Sequence, residues 1–528
     1  PTGKLLRTIR FGKWDKKPQA QGHLIWDIHP FAHQLAVCMG PDLERQTVRV
    51  IDLDDGHIQE LDAALPGDAN YVSWHRDGTT LAISYAQSVA LWDVPSERIY
   101  HRITDHKGGG LIAQFNATGE LLCTQSTWAG GVRVWHPYSH KPLLNLPELS
   151  SRLTYFPLAD GRAYCYTRQD TRFSMSILDP AREFRTLVRH PLRGVQASEY
   201  RHGSVHKEGR LLAVGTTQGV SLFDLATGLD VGHLGIGHNW SVHFIAETGE
   251  LLTYGQRGLF RWPVQTAASP GLLRLGPPAR IDVDGKSSDS VVTASRDGSA
   301  IAAAQFLRAV VVQRDQPGEL LYLRPIEQCR QQISISPDGR WVAVGQHEGV
   351  QGDVRIWDSR TAKIVKTLDS GIGANPCFSP DGQWLHVQRK KERRLWRSES
   401  WQEVRKDSKP NMYYCAFSPD SHLIAGERGD GTIRLEETAG GNERAILENP
   451  FQARSPFICF SPDGTLLITI NSDMIHVWDL RKIRVGLAAL GLDWEGPAYP
   501  PEPLELRRAG GIRPLKVQVV GIEATLSK

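Results

Sequence analysis

One phrase recurs along this chain and limits what it can fold into. At residues 458–480 it reads "ICFSPDGTLLITINSDMIHVWDL": three apolar runs of strand length, parted by two turns and closed by Trp-Asp. Relatives of it stand upstream, as "CFSPDGQWLHVQRKKERRLWRS" from Cys377 and "SISPDGRWVAVGQHEGVQGDVRIWDS" from Ser334. Weaker copies run back through Ser295-Arg296-Asp297-Gly298, His206-Lys207-Glu208-Gly209, Asn116-Ala117-Thr118-Gly119 and His75-Arg76-Asp77-Gly78 to a loose first copy at His29. About eleven copies succeed one another at a mean period of about 43 residues, the length of one four-stranded supersecondary unit.

Each copy carries hairpin chemistry. Pro presets φ, Asp bonds its own backbone, and Gly takes a positive φ without steric cost. Runs such as "LLITI", "WVAVG" and "LLAVG" then read as strands buried on one or both faces. The closing position is apolar in every copy: Ile51, Trp92, Trp135, Leu178, Phe223, Trp262, Val312, Trp357, Trp396, Leu435 and Trp478. Burying one indole is worth about 2–3 kcal/mol, and a lone four-stranded sheet has no second layer to bury it against. The sheets are therefore expected to stack as blades around an axis, with Trp92, Trp135, Phe223, Trp262, Trp357, Trp396 and Trp478 closing their blades.

On these residues the chain resembles the WD40-repeat family, in the variant built on Ser-Pro-Asp-Gly turns. Asp52, Asp93, Asp179, Asp224, Asp358 and Asp479 come directly after the closing residue, as in that family. Gly237-His238 and Asp105-His106 fit the place of its Gly-His pair, and Asp430 that of its second-turn Asp, but most copies lack these. The resemblance implies an all-β fold of tandem WD40-like β-propellers.

Eleven blades exceed one ordinary ring. The expected division is a partial propeller of about four blades at 1–188, a seven-bladed propeller at 189–480, and an amphipathic helix with a Pro-rich tail at 481–528. A cut at "WPVQTAASPGLLRLGPP", giving six plus five, is the alternative. In the tail, Ile483, Leu487 and Leu490 fall on one helical face, with Asp479 placed to cap and Gly491 to end the helix. The opening "PTGKLLRTIRF" reads like the end of a further repeat, so the N-terminus is expected to be a cut edge. The ending, with "RWPV…RLGPP" and the turn ladder, resembles the WD40 region of large bacterial serine/threonine protein kinase fusions. No Gly-rich loop with its lysine and no DFG occurs here, and the His75-Arg76-Asp77 triplet is the turn of a repeat, so kinase activity would belong to a parent molecule outside these residues.

Catalytic patterns are absent as well: there is no GxSxG elbow and no HExxH. The seven cysteines are widely spaced with no CxxC pair, which points to neither a disulfide framework nor zinc. Histidine pairs four apart, such as His29 with His33 and His202 with His206, lie in strands and turns. There four residues span about 13 Å, too far for one ion. No catalytic residue, metal or cofactor is assigned. A net charge of +3 gives no reason to invoke nucleic acid, and no apolar run approaches a membrane span.

The sharpest local feature is "RKKERRLWR". Arg389, Lys390, Lys391, Arg393 and Arg394 fall at the turn between the second and third strands of a blade, where they form a candidate site for an acidic or phosphorylated peptide. A solvated turn that keeps the edge soluble is the competing reading. The expected function is a non-catalytic protein-interaction scaffold or sensor, the WD40 arm of a bacterial signalling protein of the kinase type. A propeller enzyme or small-ligand binder working through the central channel is the alternative. A cytoplasmic setting is expected, or an extracytoplasmic one if a membrane segment lies upstream.

Overall fold

A computed structural model describes residues 8–9, 25–39, 47–61, 68–85, 87–104, 111–116, 119, 121–126, 132–137, 142–146, 154–157, 163–169, 172–178, 183–187, 202–267, 271–283, 290–305, 308–326, 333–345, 353–368, 374–388, 392–407, 414–428, 430–448, 455–471, 474–501 and 513–522. Among them are 46 strands and one α-helix. The chain divides into two compact units, one chiefly Pro1–Ala181, the other chiefly Arg182–Arg189, Gly194–Glu502 and Pro514–Lys528.

In the first unit, four-stranded antiparallel sheets at residues 25–60, 69–103 and 111–146 precede a three-stranded sheet at 154–178. Consecutive strands are neighbours throughout. Ala36, Val50, Val72, Leu81, Ile83 and Trp92 make the core between the first two sheets, and Val89, Leu91, Ala113, Phe115 and Trp135 that between the second and third. A second strand such as Thr80–Tyr85 is buried along its whole length, because each of its faces meets a neighbouring sheet.

Among its described residues the second unit holds seven four-stranded sheets. Six are built from consecutive segments at residues 203–234, 239–281, 291–322, 333–368, 375–407 and 415–448. The seventh takes three strands from residues 457–479 and its outer strand, Phe184–Leu187, from the start of the unit. Phe184 lies opposite Trp478, and Leu187 opposite Ile475. Leu187, Val205, Phe223, Ile468 and Ile470 then share one core across the seam between the last sheet and the first, so the stack closes on itself. Phe184–Leu187 lies before residue 189, where the sequence puts the start of the second ring, yet it completes that unit's last sheet.

The Pro- and Gly-rich segment after Trp262 lies inside a single blade. Gly258–Trp262 pairs with Ala279–Ile281 across it, so a cut there would split one sheet. The inserted hairpin, Val264–Thr266 with Leu272–Leu275, receives the C-terminal strand Lys516–Val519 in parallel. Just before that strand, the Leu515 N–H donates to Asp224 Oδ2 at 3.0 Å.

The turns are set by the residues that repeat. Ser336 Oγ donates to Asp338 Oδ1 at 2.5 Å and accepts from the Trp341 N–H at 2.8 Å, while Asp338 accepts from the Arg340 N–H at 3.0 Å. The same loop forms at Ser379, Ser418 and Ser461. Gly339 has φ 74°, which only glycine adopts freely; the rung that lacks glycine places Ser421 there at φ 62°. The seven aromatic closing residues are all buried, Trp478 being the most exposed at 6%.

The helix Leu480–Ala489 is capped as its sequence implies, Asp479 accepting from the Arg481 and Lys482 N–H groups. Ile483 and Leu487 pack with Leu480 and Trp494 onto Leu435, Leu467 and Trp478. Leu490 is a correction: expected on the buried face, it is 73% exposed. The helix stops at Ala489 and Leu490 is its C-cap, where helical periodicity no longer sets side-chain direction.

Candidate functional site

A surface that holds a partner needs a rigid frame, and small polar relays between blades supply it. His29 donates through Nε2 to Gly78 O at 2.7 Å, while its Nδ1 accepts from the Ala32 N–H. His75 likewise stands 2.8 Å from Gly119 O. Burial holds His29 below the ordinary imidazole range, keeping Nδ1 free of a proton so that it can accept. On the first strands themselves, Ser73, Ser204 and Ser334 accept from the backbone N–H of Phe115, Phe244 and Phe378 in the next sheet.

The Asp after the closing residue organises the turn into the outer strand. Asp93 binds the Ser96 N–H and hydroxyl, Asp224 the Ala226 N–H and Thr227 hydroxyl, and Asp358 the Arg360 and Thr361 N–H groups. In the last blade the outer strand arrives from elsewhere and no hairpin is needed. There the same Asp, Asp479, caps a helix.

Within the basic segment, Arg389, Lys390 and Lys391 lie outside the described residues. Arg393 and Arg394 are described, and they part company. Arg393 is buried at 4% exposure, with Nη1 2.7 Å from Glu436 Oε2 in the next blade and Nε 3.0 Å from Asp407 Oδ2. Arg405 joins the cluster, 2.8 Å from Glu436 Oε1 and 3.0 Å from Asp407 Oδ2. Arg394 pairs with Glu392 at 2.5 Å and with Glu403 at 3.3 Å. Sequence reasoning misses the cluster around Glu436 because it reads Leu435 as the closing residue. The register corrects this, setting Glu436 opposite Ile424 as Trp396 is set opposite Leu385. A carboxylate thus stands where other blades have an indole, and "EVRKD" supplies Arg405 and Asp407 beside it.

A cysteine and a histidine do meet. Cys415 Sγ lies 3.1 Å from His386 Nδ1. Burial pushes the Cys415 thiol well above its usual range, and burial, helped by Arg393 and Arg405, pushes His386 down to about 3. Both are neutral at pH 7, the opposite of an activated thiolate pair. Cys377 and Cys459 are likewise raised by burial, to about 12. Of the four-apart histidines, His29 is turned to Gly78, His33 to Asp54 at 2.9 Å, and His202 stacks on Phe457. No group of three or more metal-ligating side chains occurs among the described residues. No helix among them is long and apolar enough to cross a membrane.

The fold is all-β, its four-stranded antiparallel sheets consistent with tandem WD40 blades, and comparison with known proteins finds a WD40 repeat within it. Residues 330–358 match the WD40 family, described as WD domain, G-beta repeat. This span holds the turn at Ser336 and the closing Trp357. An uncharacterized WD repeat-containing protein of Synechocystis sp. is 30% identical over 142 residues, 26% of this chain. The LST8 homolog of Drosophila melanogaster is 29% identical over 117 residues, 20% of this chain. The chain spans 40% and 36% of the lengths of these two relatives. WD-repeat proteins generally act as protein-interaction scaffolds.

Proposed function

We propose that this chain is a non-catalytic interaction scaffold or sensor, the recruiting arm of a bacterial signalling protein of the serine/threonine kinase type. One observation carries most of this reading: blade after blade fixes its turns with side-chain hydrogen bonds, while the cysteine–histidine pair at a blade seam is held inert. Binding residues on loops above such a frame are positioned without reactive chemistry. The partner is a protein or peptide, acidic or phosphorylated, engaged by the basic connection at Arg389, Lys390 and Lys391. The buried Arg393 and the paired Arg394 serve as its footing. A partial first ring of about four blades and a complete second ring of seven form part of the same reading.

The test is a peptide array of acidic and phosphorylated sequences probed with the purified chain, alongside a Lys390→Glu/Lys391→Glu variant. Capture of a defined subset by the parent chain, lost in the variant, supports the reading. Equal signals from both leave that connection a solubilising turn, and no capture at all removes the peptide-binding proposal.

A further inference from the structure

The first and second strands of a blade are joined at the same end as the third and fourth, so these two kinds of turn share one face. The second strand Trp384–Gln388 ends, and the third strand Arg393–Arg397 begins, at the opposite end. On the shared turn face, the seam between the blades at residues 333–368 and 375–407 carries an unusual group. Arg340 lies with its guanidinium 4.3 Å from the centre of the Trp341 ring, and Arg397 lies 4.0 Å from that of Trp384. Trp341 and Trp401 meet edge to face at 5.9 Å across the seam. Both arginines are exposed, and Trp341 and Trp401 are only half-buried.

Two features bear on a binding role for this group. The first is backbone strain. Trp401 has φ 53°, at the place where the corresponding turns use Gly56, Gly228 and Gly441, and where Glu97 and Ala362 take φ 54° and 53°; it is the bulkiest side chain at that place. A bulky side chain there is disfavoured relative to an unstrained conformation. The second is charge. Two nearby carboxylates are engaged within their own turns: Asp338 accepts from Ser336 and the Arg340 N–H, and Asp381 from Ser379 and the Gln383 N–H. Arg296 and Arg360, on the same face, are paired with Glu247 and Asp315. Arg397 has Gln383 Oε1 at 3.1 Å as its side-chain partner, and neither it nor Arg340 makes an ion pair among the described residues. Two stacked guanidiniums, outside any ion pair among the described residues, flank two half-open indoles.

We infer that this seam is a second docking surface, specific for a short acidic peptide that carries an aromatic or aliphatic side chain. Carboxylates of the ligand pair with Arg340 and Arg397, while its apolar side chain covers Trp401 and Trp341. Guanidinium–carboxylate pairing supplies orientation, and the indoles supply buried area at low entropic cost. The inference rests on the reading of the chain as an interaction module and adds a site on the other face.

The experiment measures fluorescence anisotropy of a labelled peptide, Glu-Glu-Phe-Glu-Glu-Leu-Glu, against the full chain at low salt. Arg340→Glu/Arg397→Glu is expected to weaken binding at least tenfold. Trp401→Gly removes the aromatic but suits the backbone; it is expected to keep Tm within a few degrees of the parent and to lose binding to a similar extent. If only Lys390→Glu/Lys391→Glu weakens binding, this seam is not the site and the proposed function stands. If the parent chain does not bind, or no variant changes the affinity, the seam proposal is overturned.

Discussion

Arg393 in one blade places Nη1 2.7 Å from Oε2 of Glu436 in the next, and Glu436 is fully buried. Arg405 holds the other oxygen of the same carboxylate, so a single side chain joins two cations between neighbouring sheets. Removing one partner of a buried ion pair leaves an uncompensated charge and costs about 3–5 kcal/mol. Glu436→Leu is therefore expected to lower stability by about that amount in urea unfolding monitored by tryptophan fluorescence. Glu437→Leu, one residue along in a half-exposed position, should cost less than about 1 kcal/mol. Equal losses would show that the cross-blade cluster is not what matters.

Much of this architecture is legible in the sequence because it is local. A Ser-Pro-Asp-Gly turn, an apolar strand and a closing ring lie within one copy, so their register can be read without tertiary knowledge. What escapes is non-local. Nothing near residues 184–187 announces that "FRTL" will complete a blade whose other strands lie at 457–479, since any half-apolar strand could do so. The fate of Arg393 is equally hidden: a run of basic residues reads as one surface patch, and only the fold reveals that alternate strand positions send Arg393 to Glu436 and Arg394 to Glu392 and Glu403. Leu490 shows the limit of periodicity at a helix end.

The C-terminal strand should contribute to the second unit beyond its own few contacts. Leu515 is buried, its N–H is held by Asp224, and Lys516–Val519 extends the inserted hairpin at Leu272–Leu275. Val517 and Val519 lean on the core shared by the first two blades of that unit. Truncating a buried Leu to Ala costs about 2–5 kcal/mol. Leu515→Ala is expected to fall in that range and to raise amide exchange at Leu273 and Leu275, both buried beneath the strand. Unchanged exchange there would mean that the tail is not held by this contact.

Ser421 occupies the left-handed position that glycine fills in neighbouring rungs, with φ 62°, and its Oγ accepts from the Asp381 N–H at 3.0 Å in the adjoining blade. Two effects oppose each other. Ser421→Gly removes backbone strain worth about 1 kcal/mol but loses a hydrogen bond of similar worth, so little net change is expected. Ser421→Ala keeps the strain and loses the bond, with an expected cost of about 1 kcal/mol. Equilibrium denaturation of both variants decides the matter. If alanine proves no worse than glycine, the cross-blade hydroxyl contributes nothing.

Acid should weaken the second unit through two buried imidazoles. His386 is held down to about 3 by burial and by Arg393 and Arg405, and His476, whose Nδ1 lies 3.2 Å from Thr186 Oγ1 on the ring-closing strand, is held to about 4 by burial. In the unfolded chain both titrate near the ordinary value of 6.5. Because the folded values are depressed, the unfolded state binds more protons below 6.5. Stability is therefore complete above that pH and falls as the solution is acidified, towards pH 4 for His476 and pH 3 for His386. Between about pH 7 and pH 5 each imidazole should cost about 2 kcal/mol. The parent chain is expected to lose that sum in urea unfolding, and His386→Leu/His476→Leu to lose markedly less over the same interval. A variant whose loss on acidification matches the parent's would show that other groups govern the acid response.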